Sequence, residues 1–353
     1  MKKLFFIAAI ASAALVSCTK NEVKEPAGQQ EITFSSPVVA SVTKANVPGE
    51  IGANYDTKES FVVYSVWHQT AFDKWSTGSQ YMYGVVVKHN NSNFDATPGS
   101  KGAWEPYDAY YWPKVGVLSF AAYSPATAEG SFAYGANGLT ITDFPVPSQT
   151  SLQYDLMFSE RTYNKTQSEN GVNDTYDGVD ITFKHALSSI KFTAKTQADY
   201  SATTTIKVKK ITMWGMNSVG DFEERVNDIA AYDSAPRWIN QETPVTAVNP
   251  YVVYDGTLTL NNTDAQSANS NDVILLPQTF ASDDATIRVD YTMQTATGSE
   301  IPQYKEVTVK SLSGEWVLGY RYTYNIIIGL DDIYFAPAVE PWVNMGGVGS
   351  LGI

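Results

Sequence analysis

The sequence predicts an all-β protein built as two β-sandwiches in tandem, and three observations carry that prediction. Apolar residues alternate with polar ones over many short stretches: Tyr320, Tyr322, Tyr324, Ile326 and Ile328, for example, are interleaved with Arg321, Thr323 and Asn325. A two-residue period is that of an antiparallel strand with one face buried and one wet. Clusters of Gly, Pro, Asn and Ser separate these stretches, as strand-connecting turns do. Nowhere do apolar residues recur at helical spacing over a convincing length, so no crossover helices are expected. A chain of 353 residues is longer than one core usually organises, which sets the expected domain count at two. With 43% hydrophobic and 17% charged residues it has the composition of a folded chain. The formal charge of −13 repels phosphate backbones and excludes nucleic acid as a partner.

The N-terminus reads as an export signal. Lys2 and Lys3 precede an apolar stretch over residues 4–16, which is shorter than the ~20 residues a membrane-spanning helix needs. Residues 1–17 are therefore excluded from the fold. Cys18 is the only cysteine, and Leu15-Val16-Ser17-Cys18 resembles the lipobox of bacterial lipoproteins. That resemblance implies acylation of Cys18, with cleavage after Ser17; the competing reading is an ordinary signal with a chance cysteine. Two or more acyl chains anchor a protein firmly, at about 0.8 kcal/mol per buried CH₂. Residues 18–30 are polar, contain Pro26 and Gly28, and read as a tether between membrane and fold.

From residue 31 the pattern changes. Ile32, Phe34, Val38, Ala40 and Val42 fall on one face of a predicted strand over residues 31–42, about 40 Å long at ~3.3 Å per residue. It ends at Thr43-Lys44-Ala45-Asn46, a basic turn. Residues 61–67 and 81–87 are β-branched and aromatic runs, the second with a bulge expected at Gly84. Trp104-Glu105-Pro106 and Tyr110-Tyr111-Trp112-Pro113 lead into a run over 115–123, and further strands are expected within 139–144, 152–159 and 178–192. Residues 161–177 are polar and rich in Asn, Ser and Gly, so the boundary is placed there, with one domain over 31–177 and a second over 178–353.

In the second half, Ile206 and Val208 set one phase and Ile211 and Met213 continue it one residue out of step, which predicts a bulge near Lys209-Lys210. Ile287, Val289, Tyr291 and Met293 form another half-buried strand. After Pro341 the tail carries Val343, Met345, Leu351 and Ile353 in one phase, with Gly347 and Gly349 between them. Such a tail fits an extended strand donated to a groove; its other reading is a frayed end.

Motifs of catalysis and cofactor binding are not found. There is no G-x-S-x-G, H-E-x-x-H, Walker loop or dinucleotide fingerprint, so neither an enzyme nor a cofactor is expected. His68, His89 and His185 are far apart in sequence, and His185, in phase with Ile181 and Phe183, reads as a core histidine bonded to backbone. Asp174, Asp177 and Asp180 miss the spacing of an EF-hand and read as a solvated loop, so no metal is assigned. The heavy aromatic load of 22 Tyr, 8 Trp and 15 Phe suits sugar-binding platforms or sheet packing, and packing is favoured.

Several of these pieces, in their order, resemble the fimbrillin family, the lipoprotein pilins of type V pili in Gram-negative bacteria. They are Ser17-Cys18-Thr19-Lys20-Asn21-Glu22, Ile32-Thr33-Phe34-Ser35, Thr43-Lys44-Ala45, Tyr111-Trp112-Pro113 ahead of Leu118-Ser119-Phe120, Phe183-Lys184-His185-Ala186-Leu187, and Trp316 with Gly319-Tyr320-Arg321-Tyr322-Thr323-Tyr324 closing on Val339 and Trp342. The resemblance implies two transthyretin-like, Greek-key β-sandwich domains and export as a surface lipoprotein of the outer membrane. It further implies proteolytic removal of residues 31–44 and polymerisation with other pilin subunits by strand exchange. Cleavage would fall between Lys44 and Ala45, where Lys44 stands in place of the family's usual arginine. The segment 338–353 is then the candidate donor, through Val343, Met345, Leu351 and Ile353. Adhesion to host or bacterial surface ligands is the expected role, and a monomeric glycan-binding surface lipoprotein is the alternative.

Overall fold

The computed structural model describes residues 30–35, 37–40, 60–89, 104–167, 178–226, 235–269 and 272–342. Among the described residues the regular elements are strands, arranged in four sheets, apart from one short helix, Val309–Leu312, and a single 3-10 turn. Among the described residues no helix is long and apolar enough to cross a membrane.

The first sheet runs, edge to edge, through Val38–Ala40, Thr182–His185, Met157–Ser159, Val117–Ser124, Ser60–His68, Ser79–His89 and Trp104–Pro106, with Thr162–Lys165 also paired to Val117–Ser124. One of its inner strands, Ser60–His68, is an almost unbroken β-branched and aromatic run because both of its faces are covered. Phe61 and Val63 pack on a cluster with Phe34, Trp104, Phe120 and Phe183, while Val62, Tyr64 and Val66 face Tyr134, Ile141 and Phe144. The opposite wall of that second face is a four-stranded sheet in the order Arg237–Pro244, Asn217–Glu223, Gly138–Pro145, Ser131–Gly135.

The remaining two sheets form a sandwich. One contains Gln266–Ser267, Ser188–Thr196, Tyr320–Ile328 and Ile333–Pro341, with Val273–Leu275 also paired to Ser188–Thr196; the other runs Tyr251–Thr259, Thr204–Trp214, Thr286–Thr295, Ile301–Thr308. Phe192, Tyr324 and Ile326 of the first share a buried cluster with Ile206, Val208, Ile211, Ile287 and Val289 of the second. The alternation seen in the sequence is the burial pattern here: Tyr322, Tyr324, Ile326 and Ile328 are buried and their neighbours are half-exposed. Trp316 Nε1 donates to the Tyr324 hydroxyl at 2.9 Å, and the Val317 amide donates to the Tyr322 hydroxyl at 2.8 Å, so these phenols are satisfied where they are buried.

Both expected bulges are present. Opposite Val63 and Ser65 the partner strand skips from Val85 to Met82, with Gly84 at φ +66, a conformation open to glycine without strain. Val208 and Lys210 face the successive residues Tyr291 and Asp290, which leaves Lys209 as the extra residue.

Strand pairing does not divide the chain at 177/178. Past Gly178 the chain first supplies Thr182–His185 to the first sheet, then enters the C-terminal sandwich at Ser188. It returns with Asn217–Glu223 to pair antiparallel with Gly138–Pro145. Side chains from both halves therefore share one apolar cluster, from Val62 to Trp342.

The polar stretch of the expected domain boundary, residues 161–177, also begins inside the fold. Arg161 is buried, its Nε donates to the Tyr134 hydroxyl at 3.0 Å, and its Nη2 donates to the carbonyls of Gly135 and Ala136, each at 2.9 Å. Its guanidinium lies 4.9 Å from the Trp75 ring centre. Glu224, from the second half, is also fully buried and accepts from the Leu139 amide at 2.7 Å. Burial pushes its carboxyl up to about 7, against the opposing pull of that amide bond and of Arg161.

Candidate functional site

The first described residues, 30–35 and 37–40, close the first sheet. On one side the Trp112 amide donates to the Gln30 carbonyl at 2.9 Å, the Ile32 amide to Tyr110 at 2.7 Å, and the Phe34 amide to Trp104 at 2.8 Å; the Trp104 amide returns a bond to Phe34 at 3.3 Å. On the other side the Val179 amide donates to Thr33 at 2.8 Å, the Ser35 amide to Val179 at 3.1 Å and the Val38 amide to Ile181 at 3.0 Å. Val38, Val39 and Ala40 then pair in parallel with Thr182, Phe183 and Lys184. The segment thus lies between the edge at Trp104–Pro106 and the edge at Thr182–His185, bonded to both. A strand bonded on both sides leaves two unpaired backbone edges when it is taken away.

Its side chains fill the core beneath. Ile32, Phe34 and Val39 are at most 2% exposed. The Phe34 ring meets Phe61 and Phe120 edge-on, with centroids 5.6 Å and 5.8 Å apart. Phe61 in turn contacts Phe183 at 5.7 Å. Full burial of such side chains stabilises by about 1.5–3 kcal/mol each, so these three contribute about 5–9 kcal/mol of apolar burial. Gly178 makes the close approach possible. It adopts φ +99, and a Cβ there would lie 2.4 Å from the carbonyl carbon of Phe34.

One feature of the expected strand is corrected. The sequence places Ile32, Phe34, Val38, Ala40 and Val42 in a single phase over 31–42, yet the buried positions shift from Ile32 and Phe34 to Pro37 and Val39, with Val38 only half-buried. The shift falls where the partner changes from antiparallel Trp104 to parallel Thr182–His185, and Pro37, having no amide hydrogen, suits a break in the ladder.

Cys18, Lys44, Ala45, Val343, Met345, Leu351 and Ile353 all lie outside the described residues, as do Asp174 and Asp177. Ala40 and Trp342 are the last described positions before Lys44 and Val343, respectively. Among the described residues no group of three or more His, Cys, Asp or Glu side chains gathers to hold a metal. Asp180 accepts from the Ser35 hydroxyl at 2.7 Å, which ties it to the first segment. The histidines stay apart. His68 Nε2 bonds the Lys74 carbonyl at 2.9 Å, and the His89 ring lies 5.1 Å from Trp104. His185 is a buried core residue, but its bond goes to a carboxylate rather than to backbone, with Nδ1 2.6 Å from Asp155 Oδ2.

Among the described residues Tyr64, Tyr123, Tyr134, Tyr251, Tyr322 and Tyr324 are buried in the core, whereas Tyr83, Tyr107, Tyr304 and Tyr334 are exposed. Sequence reasoning missed the acceptor walls of the groove, Trp104, Tyr110, Trp112 and residues 179–182. The signal available for the first wall was the two aromatic clusters Trp104-Glu105-Pro106 and Tyr110-Tyr111-Trp112-Pro113 ahead of the run over 115–123.

Residues 43–342 match the family model described as Fimbrillin-like. Among solved structures, a fimbrial protein from Bacteroides vulgatus ATCC 8482 is similar at TM-score 0.57 and 14% identity, over 89% of this chain and 100% of that one. A candidate cell adhesion protein from Bacteroides uniformis ATCC 8492 aligns at TM-score 0.45 and 17% identity, over 90% of this chain and 100% of that one. No curated protein matches the chain. The match to the family model spans most of the sequence, and the chain belongs to the fimbrillin-like family.

Proposed function

We propose that this protein is a fimbrial subunit of the bacterial cell surface, anchored through Cys18 to the outer membrane and polymerised by strand exchange. In this reading Cys18 holds the unprocessed subunit at the membrane until a protease cuts between Lys44 and Ala45; residues 31–44 then leave together with the anchored segment before them, and the tail of a neighbouring subunit takes the place of the lost strand. The observation that carries it is the position of residues 30–35 and 37–40, bonded to both edges of the first sheet and filling its core with Phe34. Emptying that groove exposes apolar core and two rows of backbone groups, a surface that an extended strand covers well through main-chain bonds and side-chain pockets. The tail has the matching pattern, with Val343, Met345, Leu351 and Ile353 in one phase and Gly347 and Gly349 between them. Membership of the fimbrillin-like family and the fold shared with a fimbrial protein support a role in fimbriae and adhesion.

The test is assembly. Outer-membrane extract, heated mildly and run on a gel, should give a ladder of polymers for the wild type, and deletion of residues 344–353 should abolish it while the body stays folded. A single monomer band for the wild type would overturn the reading and favour a monomeric glycan binder. A ladder from the tail deletion would remove the tail as donor.

A further inference from the structure

Two ends of the proposed exchange meet at one side chain. Thr182–His185, the strand that receives Val38, Val39 and Ala40, ends in His185. The imidazole of His185 is fully buried and stacks on the indole of Trp342, with ring centroids 3.9 Å apart and planes 7° from parallel. Trp342 is the root of the tail, immediately before Val343, and it is itself only 3% exposed. Backbone bonds run alongside the stack: the Gly319 amide donates to the Leu187 carbonyl at 2.8 Å, and the Trp342 amide donates to the Gly319 carbonyl at 2.8 Å.

We propose that occupancy of the groove controls how firmly the tail root is held, the His185–Trp342 stack being the link between them. With the first strand in place, Thr182–His185 is paired on both sides, with Val38–Ala40 on one and Met157–Ser159 on the other. Its Phe183 is locked in the aromatic core against Phe61. His185 then has a fixed ring plane, set by its bond to Asp155, and offers Trp342 a flat buried surface. When the groove empties, Thr182–His185 becomes an edge strand paired on one side only, His185 loses part of its constraint and Trp342 is released. An incoming strand that pairs with residues 182–184 restores the clamp. The tail is thereby freed in a subunit whose own groove is open and held in one whose groove is filled.

The inference rests on the strand-exchange reading for its purpose but not for its test, because coupling between two sites must be reciprocal. In the full chain, Val39→Ala weakens the first strand without touching Trp342, and Trp342→Ala weakens the tail root without touching the first strand. Native-state hydrogen exchange reads both ends: the Val38 amide reports the groove and the backbone amide at position 342 the tail root in either variant, with the Ile211 amide in Thr204–Trp214 as the reference for overall stability.

Relative to that reference, Val39→Ala should speed exchange at Trp342 by about tenfold, and Trp342→Ala should speed exchange at Val38 by a similar factor. His185→Phe, which keeps a flat ring but removes the bond to Asp155 that sets its plane, should weaken the effect in both directions. A far amide that follows the reference in either variant overturns the coupling. Polymer formation by the same proteins is scored separately. Polymers without reciprocal exchange would sink this inference alone, and reciprocal exchange without wild-type polymers would sink strand exchange and leave the coupling standing.

Discussion

Phe34→Ala is the perturbation that asks whether the first segment is a removable unit. Phe34 is fully buried, and its ring makes two edge-on contacts, with Phe61 and Phe120. Truncating a buried phenylalanine to alanine costs about 3–5 kcal/mol, counting lost burial and the cavity left behind. If residues 30–40 dock as a unit on an otherwise complete body, that cost falls on docking and not on the remainder of the fold. At about 1.4 kcal/mol per factor of ten, local opening should rise by roughly a hundredfold to a few thousandfold. The assay is native-state hydrogen exchange at the amides of Ile32, Ser35 and Val38, which the segment donates, and at those of Trp112 and Val179, which the walls donate to it. These amides should lose protection together while Ile211 and Tyr324 keep theirs. Equal loss at all of them would show that the segment is inseparable from the global fold.

Other expectations follow from the same geometry. Gly178→Ala forces a side chain into φ +99 and against the Phe34 backbone, so it should weaken the same segment and lower the melting temperature; an unchanged melting temperature and exchange pattern would contradict the close approach. For Glu224 the folded carboxyl titrates at about 7, above its ordinary value, so the folded state binds the proton more tightly than the unfolded one. This group's contribution is therefore fully present at acid pH and is lost as pH rises through the window up to about 7, by about 3 kcal/mol in all. Glu224→Gln should flatten that part of the stability profile, and denaturant midpoints across the window will show whether the slope persists. Cys18→Ala should release the protein from membranes; a variant that survives a carbonate wash still bound would remove Cys18 as the anchor.

What the sequence made legible was local. The alternation over Tyr320–Ile328 and the phase slips at Gly84 and Lys209 became half-buried strands and bulges because side-chain period and ladder geometry are properties of neighbouring residues. The partners of each strand were not legible. That Asn217–Glu223 would return to Gly138–Pro145 depends on which apolar faces remain uncovered after the sandwiches form, and no short window of sequence records that. Arg161 sits in a stretch whose composition reads as linker, yet carbonyls of the turn at 135–136 and the Trp75 ring accommodate its charge. The candidate groove was half legible: the first strand was visible from Ile32 and Phe34, whereas its walls at Trp104, Tyr110 and Val179 come from distant segments. His185 and Trp342 carry no pattern that links them in sequence, and their stacking is a product of the fold alone.

The central claim is that assembled subunits have exchanged their first strand for a neighbour's tail. It is tested most directly by mass spectrometry of subunits recovered from heat-stable polymers. Subunits are expected to begin at Ala45 and to contain no peptide carrying Phe34. Polymers whose subunits retain Phe34 in full amount would contradict it.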